Sequence, residues 1–207
     1  MATLADLRAR IQDDIDDPNL TSQIDVAIKR AINYYQTQRF WFNAKTSTFV
    51  TVSGTAEYSS TEGFPSDIIH IDKVKSTISS NDFYIPRISY EEYLETDTGN
   101  INGQPDVYAI YKESMFIFPT PDASYTVSLS YHHSYDELAS DGDSNDFTNN
   151  AQDLIEARAE WFLYSRIIKD TEMAQLAKAE EFDVLGELRA RTDKYIATST
   201  VRPMERL

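Results

Sequence analysis

A chain of 207 residues, 41% of them apolar, is long enough to bury a core, as one domain or as one core with an inserted sub-domain. Its 34 acidic and 19 basic residues give a net charge of −15, which opposes non-specific binding to nucleic-acid phosphates. The absence of cysteine excludes disulfides, thiol nucleophiles and cysteine metal sites. No apolar run approaches the roughly 20 residues of a membrane span, and the start MATLADLRAR lacks the apolar core of a signal peptide, so we expect a soluble protein made in a cytoplasm.

Two amphipathic helices are predicted at the start of the chain. The first begins after Thr3, a residue that can cap it, and Pro18 closes it. The second begins at Thr21 or Ser22 and leads into the aromatic run FWF at 40–42, whose rings we assign to the core. The apolar stripes are Leu4, Leu7, Ile11 and Ile15 in the first helix, and Ile24, Ala27, Ile28, Ala31, Tyr34 and Tyr35 in the second.

Alternating β-branched and polar residues predict strands in the middle of the chain. One strand is expected at Lys45–Val52, one at Ile68–Val74 and a shorter one at Asp82–Ile85. Ser89 can then cap a short helix near 89–96.

The segment Asp106–His133 has the pattern of three short strands folded back on one another as a meander. A polar hairpin loop at 112–114 separates the first two strands, and Pro119 and Pro121 break the chain before the third. In the third strand apolar and polar residues alternate, which predicts a half-buried antiparallel strand. Its apolar residues are Tyr125, Val127, Leu129 and Tyr131.

The last third of the chain is predicted to be helical. Asn149 or Asn150 can cap one helix, and Asp170 or Thr171 can begin a longer one, so the two should form an antiparallel hairpin. Beyond Tyr195 the periodicity ends, and ATSTVRPMERL is typical of an extended tail that becomes ordered when a partner holds it.

The order of helices, then strands, then helices predicts an α+β fold. We expect the N- and C-terminal helices, residues 1–44 with 149–197, to pack as one helical bundle. Residues 45–148 would form an inserted, mid-chain antiparallel β sub-domain, and residues 198–207 an extended C-terminal tail.

The three histidines do not indicate a catalytic or metal site. His132 and His133 are adjacent on a predicted strand, so their side chains should point to opposite faces and would not readily bind one metal ion. We interpret them, with His70, as surface or strand-end residues.

Catalytic signatures are also lacking. The six glycines form neither a GxxxxGK nor a GxGxxG phosphate loop, and no GxSxG or HExxH segment is present. The carboxylate pairs Glu91–Glu92 and Glu180–Glu181 face different ways on their helices and are typical of solvated surface. We therefore predict a protein that is not an enzyme and needs no cofactor.

One acidic segment partly matches a calcium loop. Asp141, Asp143 and Asn145 occupy the first, third and fifth positions of such a loop. The sixth position, which requires glycine, is Asp146, and the twelfth, which requires glutamate, is Gln152. The segment is better interpreted as an acidic loop before a helix, and we predict no metal.

Five segments taken together resemble a known family, the head-to-tail adaptor, or connector, proteins of tailed bacteriophages, including the tail accessory factors of short-tailed phages. The strongest match is a rhythm of alternating apolar residues around a PxPD turn. The segments are TLADLRARIQDDIDDPNLTSQIDVAIKRAINYYQTQRFWF, GFPSDIIHIDKVK, PRISYEEY, QPDVYAIYKESMFIFPTPDASYTVSLSYHHSYDELASD and TNNAQDLIEARAEWFLYSRIIKDTEMAQLAKAEEFDVLGELRART. They cover nearly the whole chain.

The resemblance implies a structural virion protein of the neck or tail, made in the cytoplasm of the bacterial host. Such adaptors form a dodecameric ring beneath the portal protein, extend the DNA channel and connect the capsid to the next tail component, a nozzle or hub. Genome DNA would pass through the lumen during ejection without specific binding. The charge of −15 fits this role, because an anionic lumen would not grip phosphates.

In the resembling family the C-terminal segment engages the portal, and this chain has a suitable one at 198–207. We expect apolar anchors and cations in it to contact the portal. The segments 54–67 and 99–105 would then remain to meet the next tail component. The predicted portal-docking residues are Val201, Arg202, Pro203, Met204, Arg206 and Leu207.

Two other classes of function stay open at this point. The 13 tyrosines could make the β region a glycan- or receptor-binding tail module, which predicts an exposed aromatic row on the sheet. A hydrolase with a dispersed carboxylate site would require a pair of carboxyls with shifted pKa values in a deep pocket.

Overall fold

A computed structural model describes residues 1–78, 81–96 and 101–196, and the fold is α+β, as predicted. The chain divides into two compact units, a helical unit of residues 1–43 with those from Tyr135 onward, and a β unit of residues 44–134. The helices are α1 (Leu4–Ile15), α2 (Thr21–Tyr35), α3 (Tyr90–Thr96), α4 (Asp146–Asn150), α5 (Gln152–Leu163) and α6 (Thr171–Ile196). The strands are β1 (Ala44–Val50), β2 (Glu57–Tyr58), β3 (Ile68–Ile78), β4 (Asn81–Tyr84), β5 (Asn102–Gly103), β6 (Val107–Tyr111), β7 (Ser114–Phe118), β8 (Thr120–Pro121) and β9 (Thr126–His133).

The start of α1 is capped as the sequence predicts. The Thr3 side chain accepts a hydrogen bond from the Asp6 backbone N–H, and the Asp6 carboxylate accepts one from the Thr3 backbone N–H. This reciprocal arrangement satisfies two N–H groups that a helix start leaves without partners. The helix ends where Asp16 adopts the left-handed conformation, with φ 53°.

The predicted caps of α2 and α5 are wrong. A short 3₁₀ turn at Pro18–Leu20, capped by Asp17, continues directly into α2, so Thr21 already has helical geometry and no side chain caps this helix. In the last third Asn145, rather than Asn149 or Asn150, caps the short helix α4, which precedes α5. A turn that leads straight into a helix removes the need for a side-chain cap.

Helix α5 packs against α1, α2 and α6 in the helical unit. It continues into a π-helical segment at Tyr164–Ile168, Lys169 then turns the chain with φ 62°, and Asp170 caps α6 by accepting from two backbone N–H groups. The largest hydrophobic cluster of this unit consists of Leu4, Leu7, Ile11, Ile24, Ala27, Ile28, Ala31, Ile32, Tyr35, Phe40, Leu138, Phe147, Ala151, Leu154, Ile155, Ala159, Leu163 and Leu188.

Residues 135–148 lie in the helical unit, whereas the sequence pattern predicts them in the β insertion. Leu138 and Phe147 are buried in the helical core, and the Tyr135 hydroxyl donates to the Phe42 carbonyl oxygen at 3.2 Å. The segment is polar and without periodicity, so its few apolar residues are not recognisable as core from the sequence. The β unit therefore ends at Ser134.

The β unit contains a four-stranded antiparallel sheet in the order β1-β9-β3-β4 and a three-stranded antiparallel sheet in the order β2-β7-β6. Strands β5 and β8 form a short parallel pair. The predicted meander is wrong in its third strand, because β6 and β7 form the expected hairpin but β9 pairs with β1 and β3. The apolar face of β9 is Val127, Leu129 and Tyr131, all buried in the core of this unit.

Candidate functional site

The predicted portal-docking residues, Val201, Arg202, Pro203, Met204, Arg206 and Leu207, lie outside the described residues, as do residues 99 and 100 of the predicted tail-facing segment. The remaining candidates are distributed over both units.

The adjacent histidines of β9 contact different carboxylates. The Nδ1 atom of His132 lies 2.8 Å from an oxygen of Asp72, at the point where the β3–β9 register shifts. The Nδ1 atom of His133 lies 3.7 Å from an oxygen of Asp67, which also accepts from Lys45 Nζ at 2.7 Å. The contacts connect β9 to β3 and to the residue before it, so the two histidines have a structural role.

Protein donors bind one side-chain oxygen each of Asp141, Asp143 and Asn145 in the acidic loop. Asp143 accepts from two backbone N–H groups at 139–140, each at 2.8 Å, and Asp141 accepts from Arg8 Nη2 at 2.7 Å. Asn145 Oδ1 accepts from two N–H groups at the start of α4. Within the described ranges no three His, Cys, Asp or Glu side chains converge on a position for a metal ion. The loop secures the start of α1 and α4.

Carboxylates from α1 and α5 meet in the helical unit. Glu156 is 7% exposed, and its Oε1 lies 2.8 Å from Arg10 Nε, at an angle that does not give a hydrogen bond. Glu160, one turn further along α5, shares a hydrogen bond with Asp14. Burial raises the pKa of Glu156 from 4.5 to about 7 and outweighs the opposing charge of Arg10. Burial, followed by the charge of Asp14, also raises the pKa of Glu160.

These raised pKa values predict that the helical unit loses stability as the pH rises. A carboxyl whose pKa is higher in the folded state binds its proton more tightly there, and this proton stabilises the fold. The stabilisation is complete below pH 4.5, the pKa of the unfolded chain, and is lost as the pH rises through the folded-state pKa. We expect the free energy of unfolding to fall by about 1–2 kcal/mol between pH 5 and pH 8, because partial exposure screens the full effect. Urea unfolding at a series of pH values measures it.

The variant Glu160→Gln assigns this effect, because glutamine resembles the protonated acid. It should unfold like the wild type at pH 5 and be more stable by about 1 kcal/mol at pH 8. The exposed Glu187 of α6 provides the matched control, since Glu187→Gln should leave the pH dependence unchanged. Parallel pH profiles for Glu160→Gln and the wild type would contradict the assignment.

Glu181 is the one carboxylate of the predicted surface pairs that the structure buries. It is 3% exposed, its Oε1 accepts from Arg158 Nη1 at 3.0 Å, and its Oε2 accepts from Lys178 Nζ at 2.7 Å. The Tyr35 hydroxyl donates to the same carboxylate. The interpretation of this residue as solvated surface is therefore wrong, whereas Glu91, Glu92 and Glu180 are exposed, as predicted.

The outer surface of α6 carries apolar and small side chains on the side turned away from the core. We call Leu176, Ala179, Phe182, Gly186 and Ala190 the α6 outer face. All five are exposed, Phe182 at 75% and Leu176 at 59%, and their spacing of three or four residues places them along one side of the helix. An exposed phenylalanine and leucine on one long helix mark this side as a candidate protein-binding surface.

Aromatic rings cluster on the β unit, the region of the alternative glycan-binding prediction. The rings of Tyr90 and Tyr111 stack with their centroids 4.1 Å apart, and Tyr90 also lies 6.0 Å from Tyr93 and 5.1 Å from Phe116. The faces of these rings are thus covered by neighbouring rings of the same cluster. This packing fixes α3 against the β6–β7 hairpin and explains the burial of Tyr93.

None of the described helices is sufficiently long and apolar to cross a bilayer.

Comparison with known proteins gives one finding that covers both compact units. A protein-family model described as SU10 adaptor protein matches residues 2–204 of the chain. No curated protein matches the sequence.

Proposed function

Because the chain belongs to the SU10 adaptor protein family, a family of phage head-to-tail adaptors, we propose that it forms a ring beneath the portal, extends the DNA channel and connects the capsid to the tail. Membership makes it a structural adaptor of the phage virion, placed at the neck and associated with portal and tail components. The observation that carries the proposal is the match over residues 2–204, which includes both compact units.

The proposed ring consists of twelve identical chains, as the resemblance implies, and genome DNA passes through its lumen without specific binding. The net charge of −15 supports this, because a lumen rich in carboxylates repels the phosphate backbone. The buried carboxylate of Glu181 accepts hydrogen bonds from Tyr35, Arg158 and Lys178, which supports a structural role for this residue. The family is typically non-enzymatic.

We further propose that residues 198–207 dock on the portal. Removing them should abolish binding to purified cognate portal rings, because the segment combines apolar anchors with Arg202 and Arg206. Native mass spectrometry of portal rings mixed with the full-length or truncated chain measures the bound copies.

The control for this truncation keeps the length of the tail and changes only its composition. Replacing Val201, Met204 and Leu207 by serine should reduce binding as deletion does, whereas serine at Thr198 and Thr200 should not. Undiminished binding of the truncated chain would refute docking through the tail. A full-length chain that ignores portal rings altogether would refute the adaptor role and favour the glycan-binding alternative.

A further inference from the structure

The α6 outer face has a second unusual feature, a glycine in the interior of an exposed helix. Nothing lies within 4 Å of the position that a Cβ atom of Gly186 would occupy. Glycine there costs the helix about 1 kcal/mol relative to alanine, and the fold of the single chain does not require it. The small residues Gly186 and Ala190 would let another backbone approach this helix closely, with Phe182 and Leu176 as anchors.

The charges around the α6 outer face have one sign over most of its length. Four exposed acidic residues flank it, and they are Glu172, Glu180, Asp183 and Glu187. Lys178 is paired with the buried Glu181, and Arg189, near the end of this face, donates to Gln38 at 3.0 Å. A partner that docks here must therefore offer cations around an apolar centre.

Helix α2 carries such a surface. We call Ser22, Val26, Lys29, Arg30 and Asn33 the α2 outer face. These residues lie on the side of α2 turned away from the core, Val26 is 46% exposed, and the two charged members are both basic. Lys29 pairs with Glu137 at 3.2 Å, and the Arg30 guanidinium lies 4.7 Å over the ring of Phe162, which holds that cation at the surface.

The two faces lie on different sides of the same helical core. Helix α5 packs against both α2 and α6, and each outer face is the side of its helix that points away from this shared core. Because the two faces point in different directions, a single two-fold contact cannot use both of them at once, and each α6-to-α2 contact leaves one face free on each copy. Such contacts produce a head-to-tail series, which closes into a ring when the rotation per copy divides a full turn.

We propose that the α6 outer face of one copy docks on the α2 outer face of the next copy. Phe182 and Leu176 pack around Val26, and the acids that flank α6 meet Arg30 of the neighbour, because Lys29 already pairs with Glu137 in its own chain. Helix α2 has 15 residues and is about 22 Å long, which matches the length of the α6 outer face from Leu176 to Ala190. This inference rests on the proposed ring and adds the surfaces through which its copies would join.

Cross-linking tests the pairing of faces, because the chain contains no cysteine and introduced thiols are therefore the only ones. The probe is a short bis-maleimide, applied to chains assembled on purified portal rings. Val26→Cys together with Phe182→Cys should give a ladder of covalent oligomers, whereas either substitution alone should give none. The matched control pairs Val26→Cys with Leu94→Cys. Leu94 is 54% exposed on α3 but belongs to neither outer face, so this pair should give no ladder.

Assembly of blocked variants gives the second readout. Phe182→Glu and Val26→Glu should each lose the ring species, and an equal mixture of the two should form a dimer and nothing larger, since each partner keeps one working face. Leu94→Glu should assemble like the wild type. Covalent dimers from Phe182→Cys alone would overturn the head-to-tail pairing, as would rings of normal mass from Phe182→Glu. If the wild type assembles on portal rings but neither the covalent ladder nor the loss of assembly is observed, the proposed pairing of faces is wrong and the adaptor role stands. A wild-type chain that never assembles refutes both.

Discussion

Replacing Phe147 by alanine should lower the free energy of unfolding of the helical unit by about 4 kcal/mol. Phe147 is fully buried, and its ring meets those of Phe42 at 5.1 Å, Tyr135 at 5.5 Å and Phe40 at 6.0 Å, close to perpendicular in each case. The change removes a large buried apolar surface, leaves a cavity and breaks three edge-to-face contacts. Urea unfolding followed by far-UV circular dichroism measures the loss.

The matched control is another phenylalanine in the same unit. Phe182 is 75% exposed, so Phe182→Ala should change the free energy of unfolding by less than about 0.5 kcal/mol. Equal losses for the two variants would mean that the aromatic cluster around Phe147 is not packed as described. Because Phe182 is proposed to act between copies, this comparison should be made on the free chain.

Replacing Glu181 by alanine should cost about 3 kcal/mol of stability. The buried carboxylate accepts from Tyr35, Arg158 and Lys178, so its removal leaves a buried hydroxyl and a partly buried guanidinium without their acceptor. Arg158 also lies 4.0 Å over the ring of Tyr34 and 4.5 Å over that of Trp161, which keeps it from moving freely into water. Chemical unfolding at pH 7 provides the measurement.

Asp183 offers the control for Glu181, because it lies two positions further along α6 and is exposed. Asp183→Ala should leave the free energy of unfolding nearly unchanged. The double variant Glu181→Ala, Arg158→Ala should be less destabilised than the sum of the two single variants, since removing both charges leaves neither unpaired. Additive losses would show that the two residues do not act as a pair.

The variants Phe147→Ala and Glu181→Ala also matter for tests of the proposed adaptor. Glu181 and Phe147 hold α6 and the segment before α5 to the helical core, and α6 presents the surface proposed to join the copies. A variant that loosens this core should therefore assemble poorly for a reason unrelated to the interface. Stability of the free chain must be measured before any loss of assembly is assigned to docking.

Local patterns determined the helices of this protein well. The stripes of Leu4, Leu7 and Ile11 in α1 and of Ile24, Ala27 and Ile28 in α2 are buried as predicted, and Thr3 caps α1. Periodicity and capping depend on residues three or four positions apart, so the sequence contains all the information that they need. The same is true of the β6–β7 hairpin, which forms across its short polar loop.

The sequence as a whole also identified the family, although no short motif did. The order of elements, together with the rhythm of the segment around the PxPD turn, resembles phage head-to-tail adaptors, and the family match over residues 2–204 confirms it. This information is distributed over the chain because a structural protein distributes its role over surfaces, whereas an enzyme concentrates its role in a few residues.

Only the tertiary structure decided the partners of β9, the location of residues 135–148 and the environment of Glu181. The strand β9 pairs with β1 and β3, which lie far from it in the chain, and the pattern of a strand does not specify such a neighbour. Glu180 and Glu181 are adjacent residues of the same type, so the sequence does not distinguish them, but only Glu181 lies beside Arg158 and Tyr35. Alternation shows which side of an element is apolar, while burial and charge compensation depend on what other elements bring to that side.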